Sequence, residues 1–320
     1  RMITPKIPDR RLDATAALQA AFDQSSLTGE PVALSGTYVT KSTLFVRGAH
    51  VIGQLSNHSG SWGNASFTDK GNAAIYYKGK DDAIICALAP DTKQPCIENL
   101  AVICSHATMG ALSLVTAGIA AYGSRCALTM RNVIVHGSNT GLYLGPSTCE
   151  HYIEHFTIRS PRSYGIYTAN NHTVVDCRFN QIYIAGKQYK DFEPNPAALG
   201  TPVAGICGVP ASSSFHGRTI IESFPTAIKT GVVLNQYFDD LFIDNSLGVG
   251  IEFGESYNNT LWAKQFDIGR LHFQAGVKMA KVWTWPTKRR PFVKIGNMLS
   301  SINESSASLD PNNIQLPAAS

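Results

Sequence analysis

A small residue followed by an aliphatic one recurs between Gly118 and Met279: Gly118-Ile119, Gly141-Leu142, Gly165-Ile166, Gly205-Ile206, Ala227-Ile228, Gly250-Ile251 and Gly276-Val277. The steps are 23, 24, 40, 22, 23 and 26 residues, and an insertion explains the step of 40. A second series follows each of the first six: Val133-Ile134-Val135, Phe156-Thr157-Ile158, Ile182-Tyr183-Ile184, Thr219-Ile220-Ile221, Leu241-Phe242-Ile243 and Phe266-Asp267-Ile268. Two strand-like signals per period of about 23 residues mark a repeat architecture. One unit cannot bury its own apolar side, so stacked units must share one continuous core.

Composition agrees with many short strands and turns. Charged residues make up 16% of the 320, Gly numbers 27 and Pro 16. The net charge of +4 is mild, and no dense Lys/Arg run points to nucleic acid. No apolar run approaches the roughly 20 residues that cross a membrane. The opening Arg-Met-Ile-Thr-Pro lacks the charged and apolar regions of a signal sequence, as expected of a trimmed fragment. Seven cysteines (Cys86, Cys96, Cys104, Cys126, Cys149, Cys177 and Cys207) form no Cys-x-x-Cys, so no zinc site is expected. They read as small buried groups in a chain made in a reducing compartment.

Residues 1–10 read as an arm. Asp13 is the expected N-cap of a helix whose one face carries Ala14, Ala17, Leu18, Ala21 and Phe22, with Gly29 as its stop. Short strands follow: Val32-Ala33-Leu34, Gly36-Thr37-Tyr38-Val39, Thr43-Leu44-Phe45-Val46 and His50-Val51-Ile52-Gly53. This run resembles the N-terminal cap of pectate-lyase-like right-handed β-helices, in particular the bacteriophage tailspike and capsule-depolymerase group. The motif is carried by residues 12–53, from Asp-Ala-Thr-Ala-Ala-Leu-Gln-Ala-Ala-Phe through Gly-Thr-Tyr-Val-Thr and Leu-x-Val-x-Gly to Val-Ile-Gly.

The resemblance implies an all-β fold, a right-handed parallel β-helix (a single-stranded solenoid) with a short capping helix. The expected limits are an arm at 1–10, the β-helix domain at 11–299 and a loose tail at 300–320. Within the domain, the cap is 11–53, the coils run from about 74 to 299 and an insertion at 187–202 projects from the stack. The resemblance further implies a homotrimer at a virion tail, acting outside the cell on a bacterial capsule or O-antigen polysaccharide. No cofactor and no metal are expected, since no spacing matches the calcium-binding acids of pectate lyases. The fold hosts lyases, hydrolases and non-enzymes alike, so chemistry must be read from the residues.

In such a coil, side chains alternate in and out, and equivalent positions stack about 4.8 Å apart. Measured from the repeat Gly or Ala, Glu222, Asp244 and Asp267 all stand 17 residues on, after Ile221, Ile243 and Phe266. Three acids are therefore expected on one outer face, with Asp239 and Asp240 just upstream on the middle coil. Close carboxylates repel, so one holds its proton, which separates an acid from a base. The expected catalytic groups are Glu222, Asp244 and Asp239 or Asp240. Arg218, Asp267 and the aromatic Trp262, Tyr237 and Tyr257 are expected to position sugar, with Phe238 in the same cluster.

A second candidate set is Glu154 with Asp176, among His151, His155, Arg159, Arg162 and Arg178. His136, His155 and Arg159 would serve a lyase as base and uronate neutraliser. The polygalacturonase pattern is incomplete, because His216-Gly217 precedes Asp239-Asp240. Three functions stay open: a glycoside hydrolase, a polysaccharide lyase, and a non-catalytic binding or structural β-helix.

Overall fold

The computed structural model describes residues 2–5, 12–55, 73–104, 116–186, 203–244, 248–256, 265–274, 281–300 and 314–315. Among them, thirteen strands join in one sheet and nine in another, and every strand pair is parallel. From Ala74–Tyr77 to Phe292–Ser300, strands of one sheet alternate along the chain with strands of the other. The chain is thus a right-handed parallel β-helix, as the repeat and the cap motif require.

The repeat sits in the nine-stranded sheet. Ile119, Leu142, Ile166, Ile206, Ile228 and Ile251 are successive Cα partners, so one inward rung position is aliphatic coil after coil. The next rung is Trp283. Val277 was expected there; Gly276 and Val277 lie outside the described residues, and the strand arrives later because the chain between is longer. The small residue ahead of each aliphatic has a packing cause. A Cβ on Gly118, Gly141, Gly165 or Gly205 would collide with a γ-carbon of Val135, Ile158, Ile184 or Ile221 respectively. Along this seam side chains of one sheet pack directly on the backbone of the other, and a larger side chain would force them apart.

The long strands of the thirteen-stranded sheet bend in the middle. Asn99, Asn132, His155, Gln181 and Gly217 hold φ between 48° and 62° at that bend, a left-handed corner stacked over five coils. Asn132 Nδ2 donates to Asn99 Oδ1 at 2.7 Å, so amides lace part of the corner. The bend splits this sheet into two faces, and the coil becomes three-sided.

Inside, Phe179, Phe215, Phe238 and Phe266 stack at centroid distances of 4.2, 4.2 and 5.5 Å. Each fully buried ring contributes about 1.5–3 kcal/mol by transfer from water. Phe238 is therefore core and does not face a sugar, because it occupies the inward phase of its strand.

The helix spans Thr15–Thr28 and packs on the first strands. Asp13 accepts the backbone N–H of Thr15 at 3.0 Å, one place ahead of the N-cap Ala14. The buried face is Leu18, Ala21, Phe22 and Ser25, with Ala17 left exposed. Gly29, at φ 75°, ends the helix. Ile3 pairs with Val32 and Ile314–Gln315 pairs with Val293 and Lys294, so both terminal regions add a rung to the sheet.

Candidate active site

The outward position at the end of the long strands forms one continuous column. Register places Ile103, His136, Arg159, Ala185, Glu222, Asp244 and Gln274 on successive rungs. Each of the first six follows an inward aliphatic, for example Val135, Ile158, Ile184, Ile221 and Ile243, which fixes its phase. Yet these outward polar groups are shielded: His136 is 3%, Arg159 7%, Glu222 2% and Asp244 7% exposed. Glu222 and Asp244 are direct partners, so their backbones stand about 4.8 Å apart.

Tyr183, one coil before Glu222, donates its hydroxyl to Glu222 Oε1 at 2.8 Å. A donor on a carboxylate favours its charged form. Glu222 and Asp244 thus bring two shielded carboxyl groups to neighbouring rungs of one column. Ala185 separates this pair from Arg159 and His136, leaving a short apolar step between the acidic and basic ends. The strands that end in the column lead directly into 105–115, 187–202, 245–247 and 275–280, all outside the described residues. The expected insertion is among them.

Asp267 does not join this column. Its partner is Tyr237, and Gln274 stands on the rung of Asp244. Gln274 comes 24 residues after Gly250, where the two preceding coils take 17. The added residues lie between the two strands, so an offset counted from Gly250 stops short.

Tyr237 and Asp267 instead belong to an exposed groove of about 340 Å³, lined also by Asn235, Gln236 and Gln265. Gln265 Nε2 donates to Asp267 Oδ2 at 2.7 Å. Asp239 stands at the rim, opposite both His216 and Gly217, because the preceding strand carries one residue more. It accepts the Gly217 N–H at 2.9 Å and lies 3.4 Å from His216 Nδ1. Partial burial works to raise its pKa, but hydrogen bonds from Tyr237 and Gly217, with the charge of His216, hold it below the ordinary carboxylate value. The His-Gly and Asp-Asp pairs, out of order in sequence, are thus neighbours in space.

Asp240 is clamped: Arg218 Nε is 3.1 Å and Arg270 Nη1 3.8 Å from the same oxygen. That ion-pair ladder occupies both Asp240 and Arg218, and separates them from the buried column by four residues of strand. Trp262 and Tyr257 lie outside the described residues.

The second candidate pair is not brought together. Glu154 stands on a rung with Arg131 and Asn180, within the ladder Glu98, Arg131, Glu154, Asn180 and His216. Arg131 lies 3.4 Å from Glu98 and 3.7 Å from Glu154. Asp176 is an exposed left-handed residue at φ 58°, four positions before Asn180. Counting from the nine-stranded sheet missed this, because the turn between the sheets varies in length.

His151 is fully buried. Its Nδ1 accepts the Leu128 N–H at 3.0 Å, its Nε2 meets the Thr148 hydroxyl at 2.9 Å, and burial depresses its pKa to about 3. It is a neutral core group. His136 and Arg159, weighed for a lyase, share the column of the acids. What sequence spacing did not show is their depth, and the role of Tyr183 as a donor to Glu222.

No protein-family model matches the chain, and no curated protein matches it in sequence. Solved structures match its fold. The enzymatically active domain of tailspike protein 2 of bacteriophage CBA120 is 14% identical at a TM-score of 0.62, covering 99% of this chain and 46% of that one. A mutant tailspike of E. coli bacteriophage HK620, in complex with a pentasaccharide, is 12% identical at a TM-score of 0.57, covering 98% and 57%. The ORF18 protein of Geobacillus virus E2 is 12% identical at 0.55, covering 94% and 61%. The chain spans about half to three fifths of the length of these structures, and it shares with phage tailspikes a parallel β-helix over nearly all of its own length.

Proposed function

We propose that this chain is the β-helical part of a phage tailspike that binds a bacterial surface polysaccharide and hydrolyses its glycosidic bonds. The observation that carries the reading is the pairing of Glu222 with Asp244 on neighbouring rungs of a column that excludes water. Glu222, which accepts the Tyr183 hydroxyl, is the ionised member and attacks the anomeric carbon. Asp244 gives its proton to the departing glycosidic oxygen, then takes one from the water that releases the sugar. A rung spacing of about 4.8 Å is near the roughly 5–5.5 Å between the carboxyl groups of retaining enzymes. The anomeric configuration of the first product, read by NMR, checks this.

The open groove at Tyr237 and Asp267 is a separate place for sugar units to lie, with Tyr237 offering a flat face. A homotrimer at the virion tail is the assembly we assign, following the resemblance to tailspikes. A monomeric mass by light scattering would remove it.

The test is incubation with a panel of capsular and O-antigen polysaccharides, read by chain length. Glu222→Gln and Asp244→Asn each should lower kcat/KM by about 10²- to 10⁴-fold while the melting temperature holds. Wild-type rates in both variants would remove the column as the active site. The juxtaposition of His136 and Arg159 favours one second reading, a lyase acting on a uronate. Its products carry an unsaturated sugar that absorbs in the ultraviolet, and hydrolysis products do not. Retention of polymer without shortening would mark a binding spike.

A further inference from the structure

At the N-terminal end of the solenoid, coil stacking gathers three unlike donors. His50 and Cys96 are Cα partners, and Glu98 is the partner of Ile52, two residues along the same strands. The imidazole nitrogen, the thiol sulfur and the carboxylate oxygen all lie within 4.8 Å of one another. His50 Nε2 is shielded from solvent and has no hydrogen-bond partner among the described residues, while Glu98 Oε2 lies 3.5 Å away. Cys96 Sγ is 3.9 Å from Glu98 Oε1.

We infer that His50, Cys96 and Glu98 form a binding site for a divalent transition metal of the zinc type. One nitrogen, one sulfur and one carboxylate oxygen suit that ion, with water as the fourth ligand. Donors at roughly 2.0–2.3 Å from a tetrahedral ion stand about 3.3–3.8 Å from each other. The His50–Glu98 contact already has that separation, and Cys96 needs only a small approach. Arg131 Nη1 lies 3.4 Å from Glu98 Oε1, the oxygen turned away from the His50 contact, so it orients the carboxylate without taking the ligating atom. Binding releases the Cys96 proton and leaves a thiolate on the metal. The ligands come from two paired strands, His50–Ile52 and Cys96–Cys104, near the N-terminal end of the sheet, so the ion would tie those two coils together.

The test uses the whole chain, stripped with chelator and titrated with Co(II). One equivalent should bind with a thiolate-to-cobalt charge-transfer band in the near ultraviolet, and Zn(II) should abolish the band by displacement. Cys96→Ser should remove the band and Cys149→Ser should leave it. His50→Ala should weaken Co(II) binding at least tenfold, with near-ultraviolet circular dichroism reporting that each variant is folded. No binding to the wild-type chain, or a band that survives Cys96→Ser, overturns the site. Polysaccharide cleavage plays no part in the readout, so this test stands or falls apart from the hydrolase reading.

Discussion

Two columns of charged residues run along the outside of the same sheet and differ in almost everything else. The ladder of Glu98, Arg131, Glu154, Asn180 and His216 is partly or well exposed, and Arg131 sits between Glu98 and Glu154, so opposite charges alternate on those three rungs. The column of His136, Arg159, Ala185, Glu222 and Asp244 is buried, and it keeps its bases at one end and its acids at the other. Alternation in water contributes little and is tolerated anywhere. Carboxyl groups shielded from water are costly to charge, which is the physical reason for proposing chemistry at the second column and not at the first.

The sharpest way to break this comparison is the double variant Glu222→Gln with Asp244→Asn. If the two act as one device, its loss in kcat/KM should match that of the worse single variant. Additive losses would mean that the carboxyls work separately.

His151 separates burial from function. It is buried like the column but fully hydrogen-bonded. Its folded pKa of about 3 lies below the ordinary 6.5, so the unfolded chain binds a proton that the folded chain refuses. Stability should be unaffected above pH 6.5 and fall as the pH drops below it, by up to about 1.4 kcal/mol per pH unit. Denaturant melts between pH 7 and 5, where ordinary carboxylates stay ionised, should show this slope in the wild type and lose it in His151→Asn.

A smaller effect is expected from Tyr183→Phe, which removes the donor on Glu222. The acid limb of the pH–rate profile should move upward, with a loss of about 10- to 100-fold at neutral pH, because a hydrogen bond to a charged group contributes about 1.5–3 kcal/mol. An unmoved limb would take Tyr183 out of the mechanism. Smallest of all is Glu154→Gln in the exposed ladder. Cleavage should stay within about twofold and stability should change by less than about 1 kcal/mol.

The fold was legible because coil length is nearly constant where the glycine–aliphatic pair recurs, and because Asp13 to Gly53 carries a recognisable cap. The column position shared by Glu222 and Asp244 was legible for the same reason, both being 17 residues past their repeat residue. Asp267 was misplaced where the coil lengthens, and Val277 gave way to Trp283 on the next turn. Glu154 and Asp176 were paired across turns of unequal length. Burial was not legible, since outward phase reads as exposed and the shielding of Glu222 depends on the rest of the molecule. Nor did spacing reveal His50, Cys96 and Glu98 as a group, because stacking, not sequence proximity, brings them together.

The seam of glycines against β-branched side chains bears on the column as well as the core. Val135, Ile158, Ile184 and Ile221 press on Gly118, Gly141, Gly165 and Gly205, and the very next residues are His136, Arg159, Ala185 and Glu222. The side chains proposed for catalysis thus follow directly on residues packed against a neighbouring backbone with no room to spare. Under the proposed reading, their mutual placement is set when the chain folds and not by an arriving sugar. Selection among substrates under that reading falls to shape: a linkage is accepted if it brings its oxygen to a fixed point and rejected if it does not.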